Sequence, residues 1–257
     1  MVLAAFARLK RAMRPVVDVV LCCTMAGFLG AAAQAQSPLR CGKFTEAVLD
    51  PPAPREARWP VQEFEKINSA VKTQPYRVLF LGDSLTERFD PEMWREHMEP
   101  RGVLNAGVSG DRTEHLLWRL QHGNLDGPPP AGIVVLIGTN DLTNDRTPEY
   151  VAEGIRSDLL YLRQRLPRAR IGLLGLWPRA MWPNAPLRGA ILAVNRLIRN
   201  CGDEHTVFYA DLGGMLLERD GRLTPEISPD RLHFSALGYT RLMPRLDALI
   251  DRLLAER

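Results

Sequence analysis

Three residue types that together cleave esters or amides occur here at suggestive positions: Ser84, Asp230 and His233. A serine hydroxyl is a poor nucleophile without a base beside it. Ser84 follows the apolar run Val78 to Leu81, inside Gly82-Asp83-Ser84-Leu85. Ser84-Leu85-Thr86-Glu87 also has the spacing of a capping box, which by itself reads as the start of a helix. That position suits chemistry too, because backbone N–H groups and the helix dipole there favour a developing oxyanion. Five histidines could supply the base: His97, His115, His122, His205 and His233. Only His233 has a carboxylate at a telling position, Asp230, three residues before it. On a tight turn that spacing brings carboxylate to imidazole, fixing the tautomer and stabilising the imidazolium. An isolated D-x-x-H is weak, and its weight comes from the other blocks.

Two of those blocks also follow apolar runs: Asn105-Ala106-Gly107 and Gly138-Thr139-Asn140-Asp141. Glycines at strand ends often do no more than turn the chain, and one such block would mean little. Three in succession, followed by Asp230-Arg231-Leu232-His233, are a stronger signal. Asp83 and Asp141 read as structural, shaping turns and accepting backbone hydrogen bonds; Asp83 adjoins Ser84, so its side chain points the other way. Competing sites fail on their motifs. The elbow G-x-S-x-G is missing, because Asp111 closes Gly107-Val108-Ser109-Gly110-Asp111. No phosphate loop or dinucleotide fingerprint occurs. Asp111-Arg112-Thr113-Glu114 reads as a helix cap.

The four blocks, in this order and spacing, resemble the SGNH (GDSL) hydrolase superfamily. Within it, four stretches are similar to the catalytic subunits of platelet-activating factor acetylhydrolase type Ib: Asn105 to Leu120, Ile133 to Asn140, Leu173 to Arg179 and Leu232 to Tyr239. The resemblance spans roughly residues 76 to 250. It implies Ser84 as nucleophile, His233 as base and Asp230 as its orienting acid. The implied oxyanion hole is the backbone N–H of Ser84, the backbone N–H of Gly107 and the side-chain amide of Asn140. No metal or cofactor is implied. The chain departs from those subunits at Leu85-Thr86-Glu87-Arg88 and at Asp141, which border the acyl pocket. Their regulatory partner is not carried over, and a homodimer stays open. The expected activity is that of an exported serine esterase acting on short acyl esters of a small-molecule, lipid or glycan alcohol. A glycan O-acyltransferase with the same triad, or a noncatalytic carbohydrate-binding module, are the alternatives.

Positioning these blocks requires alternating strands and helices. Val78 to Leu81, Val103 to Asn105, Ile133 to Ile137, Ile171 to Leu176 and Val207 to Ala210 read as buried strands. Helical stripes run through Val61, Phe64, Ile67 and Val71; Val151, Ile155, Leu159, Leu162 and Leu166; Leu187, Ile191, Val194 and Ile198; and Leu242, Leu246, Leu249, Ile250 and Leu253. Such alternation implies an α/β fold with a parallel sheet covered on both faces. The resemblance sharpens this to a flavodoxin-like three-layer α/β/α sandwich with a five-stranded parallel sheet. The chain divides into residues 1–35, a Pro-rich lead-in and docking helix over 36–75, and the hydrolase domain over 76–257.

With 257 residues, 46% hydrophobic and 25% charged, the chain can bury a core without staples, which excludes a disordered chain or a disulfide miniprotein. Arg8, Lys10, Arg11 and Arg14 against Asp18 account for the whole formal charge of +3, so the rest is neutral and gives no reason to expect nucleic acid. These basic residues precede an apolar run from Val16 to Ala33 and the small-residue site Ala33-Gln34-Ala35. That is the layout of a secretory signal cut after Ala35, whether translation starts at Met1 or Met13. The expected location is periplasmic or extracellular, without a stable membrane span after cleavage. Cys22 and Cys23 would leave with the signal. Cys41 and Cys201 would remain, and spacing alone leaves them equally open to pairing or to staying as two thiols.

Overall fold

Parallel strands buried on both faces read as near-continuous apolar runs, and five such runs pair in the computed structural model, which describes residues 39–46 and 48–255. They are β1 (Val78–Gly82), β2 (Val103–Gly107), β3 (Gly132–Leu136), β4 (Arg170–Leu174) and β5 (Val207–Ala210). The order is β2-β1-β3-β4-β5, with every pairing parallel. Gly82 at the end of β1 lies in register with Gly107 and Leu136, so three carboxyl ends finish level. Connections run one way from β1 to β2 and the other way from β3 onward, which opens a crevice between β1 and β3 where ligands bind in open α/β sheets.

The helices are α1 (Arg58–Thr73), α2 (Ser84–Glu87), α3 (Pro91–Met93), α4 (Thr113–Gln121), α5 (Thr139–Leu142), α6 (Pro148–Arg165), α7 (Pro186–Ile198) and α8 (Ala236–Leu254). Alternation along each strand sends its side chains to two cores. Leu79, Leu81, Ile133, Val135, Ile171 and Leu173 meet the apolar faces of α1, α4, α6 and α7. Val78, Phe80, Val134, Leu136 and Leu174 meet α8 and the aromatic residues Phe89 and Trp94. The result is the flavodoxin-like three-layer sandwich. The fourth strand stops at Leu174 rather than Leu176, because the Asn195 side chain on α7 takes over both backbone groups of Leu176, at 2.7 and 3.0 Å.

Residues 39–46 and 48–56 cross the surface of the helical layer without helix or strand. Cys41 is joined to Cys201, 160 residues away, and both are buried. Of the two states that spacing left open, the cysteines adopt the paired one. Further along, the Phe44 N–H donates to Glu153 Oε2 at 2.8 Å, and the Asp50 N–H donates to the Tyr150 hydroxyl at 2.6 Å. The expected signal segment and its cleavage site lie outside the described residues. Among the described residues no helix is long and apolar enough to cross a membrane.

Candidate active site

Ser84 begins α2 directly beyond β1, but it does not cap that helix. Asp83 does, its Oδ1 accepting the Leu85 N–H at 2.9 Å. The expected partner of a Ser84 cap, Glu87, turns outward instead and accepts the Ser109 N–H and, at 3.1 Å, the Trp59 indole N–H. The Ser84 hydroxyl is thereby left for another partner. It lies 2.8 Å from His233 Nε2, across 149 residues of sequence. His233 Nδ1 lies 2.7 Å from Asp230 Oδ2. A hydroxyl donor at Nε2 and a carboxylate acceptor at Nδ1 are compatible with the neutral tautomer protonated on Nδ1.

The 228–233 turn builds the second half of this chain. Asp230 Oδ1 accepts the N–H groups of Leu232 and His233 at 2.9 and 2.7 Å, an Asx turn that folds the carboxylate back over its own backbone. Arg231 pays for the tight turn with a left-handed φ of 65°, uncommon for a residue with a Cβ. Its carbonyl is held by the Ala180 N–H at 3.2 Å. Burial raises the Asp230 pKa somewhat, but the hydrogen bonds from the His233 ring and from two backbone N–H groups outweigh it and lower it overall. Behind the histidine, Phe234 packs edge-on against Trp177 with centroids 5.5 Å apart, and the Tyr239 hydroxyl reaches the Leu85 carbonyl at 3.0 Å. Residues of α2, β4's extension and α8 therefore lock the serine and histidine to one another.

The expected anion donors divide. No protein acceptor meets the Ser84 N–H among the described residues. Asn140, at the start of α5 beyond β3, donates from Nδ2 to the Asp111 carbonyl at 2.9 Å, while Asp83 Oδ2 is a long 3.4 Å away. One amide hydrogen thus remains weakly engaged. Gly107 does not fit the expectation. Its buried N–H already donates to Asn105 Oδ1 at 3.0 Å. Its requirement for glycine is one of space: a Cβ there would stand 2.8 Å from the Asp83 carbonyl oxygen and closer still to the Glu87 nitrogen. Gly107 lets β2 pass beneath the α2 turn. The donor with no acceptor among the described residues in this region is the Gly110 N–H, in the turn closed by Asp111 N–H to the Val108 carbonyl at 3.1 Å. With φ of +79° Gly110 occupies the left-handed third position of that turn. The sequence shows this only as Ser109-Gly110-Asp111, three turn residues of no evident chemistry.

A buried polar layer lies underneath. Asp111 is not a helix cap; α4 starts at Thr113, and Asp111 instead pairs with Arg119 at 2.6 Å. Asp141 accepts the Thr113 hydroxyl at 2.8 Å. Arg179, which spacing arguments did not single out, donates to the Thr139 carbonyl at 3.2 Å and lies in the field of both Asp83 and Asp230. Burial pushes Asp83 up to about 7, a backbone hydrogen bond from Leu85 opposing it. Among the other histidines, His97 Nδ1 meets Asp247 Oδ2 on α8 at 2.7 Å, a long-range pair that spacing could not reveal, but no serine follows at its far nitrogen.

Known proteins bear the same stamp. The pattern of the GDSL-like Lipase/Acylhydrolase family matches residues 80–241. Platelet-activating factor acetylhydrolase IB subunit alpha1 of Homo sapiens is 36% identical over 203 residues, 78% of this chain and 86% of that protein. A GDSL-like lipase from Bacteroides thetaiotaomicron superposes with a TM-score of 0.62 at 21% identity, covering 74% of this chain and 97% of that one. An acetylxylan esterase from Geobacillus stearothermophilus gives 0.57 at 19% identity, covering 70% and 95%. Those two superpositions establish the shared fold, and the sequence matches establish kinship: the chain belongs to the GDSL-like lipase/acylhydrolase family and is an esterase-like hydrolase.

Proposed function

We propose that the chain is an exported serine esterase that removes short acyl groups, with Ser84 as nucleophile, His233 as general base and acid, and Asp230 as the orienting carboxylate. The observation that carries this reading is the unbroken hydrogen-bond chain from Ser84 Oγ through the His233 ring to Asp230 Oδ2. His233 Nε2 takes the hydroxyl proton as Ser84 Oγ attacks the ester carbonyl carbon. The resulting oxyanion faces the Ser84 N–H and the Asn140 amide, with the Gly110 N–H in place of the Gly107 N–H as third donor. His233 then returns the proton to the departing alcohol, leaving an acyl-serine. A water deprotonated by the same imidazole hydrolyses it. Relatives named as a platelet-activating factor acetylhydrolase and an acetylxylan esterase support a short acyl group. The Cys41–Cys201 bridge supports an oxidising compartment, consistent with export.

The test is hydrolysis of p-nitrophenyl esters of increasing chain length by the mature protein, with Ser84→Ala alongside. Rates should be highest at acetyl and fall with chain length, and Ser84→Ala should form no acyl-enzyme. Near-normal turnover by folded Ser84→Ala would reject the serine mechanism.

A further inference from the structure

The proposed donor turn, residues 108–111, has its peptides held from three directions. The Ser109 N–H is bound by Glu87 on the nucleophile's own helix, and Trp59 at the start of α1 steadies that carboxylate at 3.1 Å. The Asp111 carbonyl is bound by Asn140. The Gly110 carbonyl is bound by Arg55, which belongs to neither the sheet nor its crossover helices. Arg55 lies near the end of the extended segment that starts at the Cys41–Cys201 bridge. That segment is fastened again to α6 by the Phe44 and Asp50 N–H groups and to Arg146 through the Asp50 carboxylate. The half-buried guanidinium sits so close over the turn that a Cβ on Gly110 would stand 2.8 Å from its Nη1.

We propose that this segment is a strap whose business end, Arg55, is a positioning residue for the esterase reaction, holding the 108–111 turn so that the Gly110 N–H faces the reacting carbonyl. The proposal rests on the serine-esterase reading above. Its physical basis is the ease with which a turn's central peptide flips. With glycine third, the Ser109–Gly110 peptide can present either its N–H or its C=O to one side with little change in the flanking strands. Only the peptides on either side can choose: the one before is anchored by Glu87, the one after by Arg55 on its carbonyl and by its own N–H on the Val108 carbonyl. Losing Arg55 leaves the following peptide with the turn's closing bond alone, and the next outside anchor is Asn140 on the Asp111 carbonyl. A carbonyl in place of an N–H would repel the oxyanion, so the loss falls on the transition state and spares ground-state binding. The strap would thereby couple the bridge to the rate.

The experiment uses the mature chain with its bridge intact and p-nitrophenyl acetate as substrate. Arg55→Ala should lower kcat by about tenfold or more with KM within about twofold, the signature of misplaced transition-state contacts. Low-millimolar guanidinium should restore part of that loss and leave the unsubstituted enzyme unchanged, a rescue that a general packing defect would not show. Arg55→Met keeps the aliphatic stem over the turn and removes only the donors, so it decides the matter if Arg55→Ala does not fold. Wild-type kcat in folded Arg55→Met, or a loss that guanidinium never rescues, overturns the strap's role. Ser84→Ala in the same series separates the two ideas. If it is inactive while Arg55→Met is normal, the serine reading stands and only the strap falls; if it stays active, the underlying reading is at fault.

Discussion

A carboxylate whose side chain is 56% exposed gains little from attraction across water, so the role proposed for Asp230 is orientation more than charge. In the proposed mechanism Ser84 and His233 act as one unit, whereas Asp230 adjusts a base that is still present without it. His233→Ala should therefore cost about 10⁴-fold or more in kcat, nearly as much as Ser84→Ala, and the double variant should cost no more than either alone. Asp230→Asn should fall short of that loss. Asn140→Ala should lower kcat by about a hundredfold or more with KM little changed, since its donor works mainly in the transition state. Steady-state kinetics on one short ester reads all five variants, and a KM effect dominating in Asn140→Ala would move that residue from the transition state to substrate binding. The meeting of Ser84, His233 and Asp230 was legible in the sequence because the Asp230–His233 spacing is local and Ser84 directly follows the apolar run of β1. The donor set was only partly legible. Whether Gly107 or Gly110 offers a spare N–H depends on where the Asn105 side chain rotates, and spacing does not encode that rotation.

The strands were readable because burial on both faces leaves them almost wholly apolar, and the helices because α6, α7 and α8 each keep one apolar stripe. The limits of these elements were less so: β4 ends early at Asn195's side chain, and the cap of α2 is Asp83 rather than Ser84. Least legible was the extended segment before α1, which has no period and draws its order from partners more than ninety residues away, Arg146, Tyr150, Glu153 and Cys201. Its bridge closes a loop of 160 residues, and such closures typically stabilise by about 2–4 kcal/mol by restricting the unfolded chain. Cys201→Ser should lower the urea midpoint of the oxidised protein accordingly, and reductant should lower the wild type but leave the variant alone. Mass spectrometry of unreduced peptides checks the pairing directly; two alkylatable thiols would refute it.

For the whole molecule, the charge that distinguishes the chain sits in residues 1–35, and N-terminal sequencing of exported protein should begin at Gln36; Met1 or Met13 there would argue against cleavage. The remaining body is neutral in sum yet keeps several ionisable groups out of water, which makes its stability depend on pH. Mainly by burial, Asp83 is pushed up to about 7 and Asp111 and Asp141 to about 6. Asp158 on α6 goes well above the ordinary range, first by burial and then by the neighbouring Asp141, and neither of its oxygens has a hydrogen-bond partner. An acid raised in this way holds a proton in the fold that the unfolded chain has already released, so its stabilisation is lost as pH rises through the folded value. His115 works in the opposite sense. Burial pushes it down to about 4, so between about 4 and 6.5 the unfolded chain binds a proton that the fold does not, and stability rises with pH. The two effects oppose each other below about pH 6.5. Above it His115 is neutral in both states and Asp111 and Asp141 are mostly ionised, leaving Asp83 and Asp158 to act alone. Stability to urea should therefore fall as pH rises from about 6.5 through about 7, the folded value of Asp83, by up to about 1.4 kcal/mol per pH unit for each proton retained, with Asp158 acting in the same direction. Asp158→Asn removes one of the two protons without changing the side chain's size. It should flatten that decline. An unchanged slope in the variant would mean that Asp158 is not the group giving up its proton.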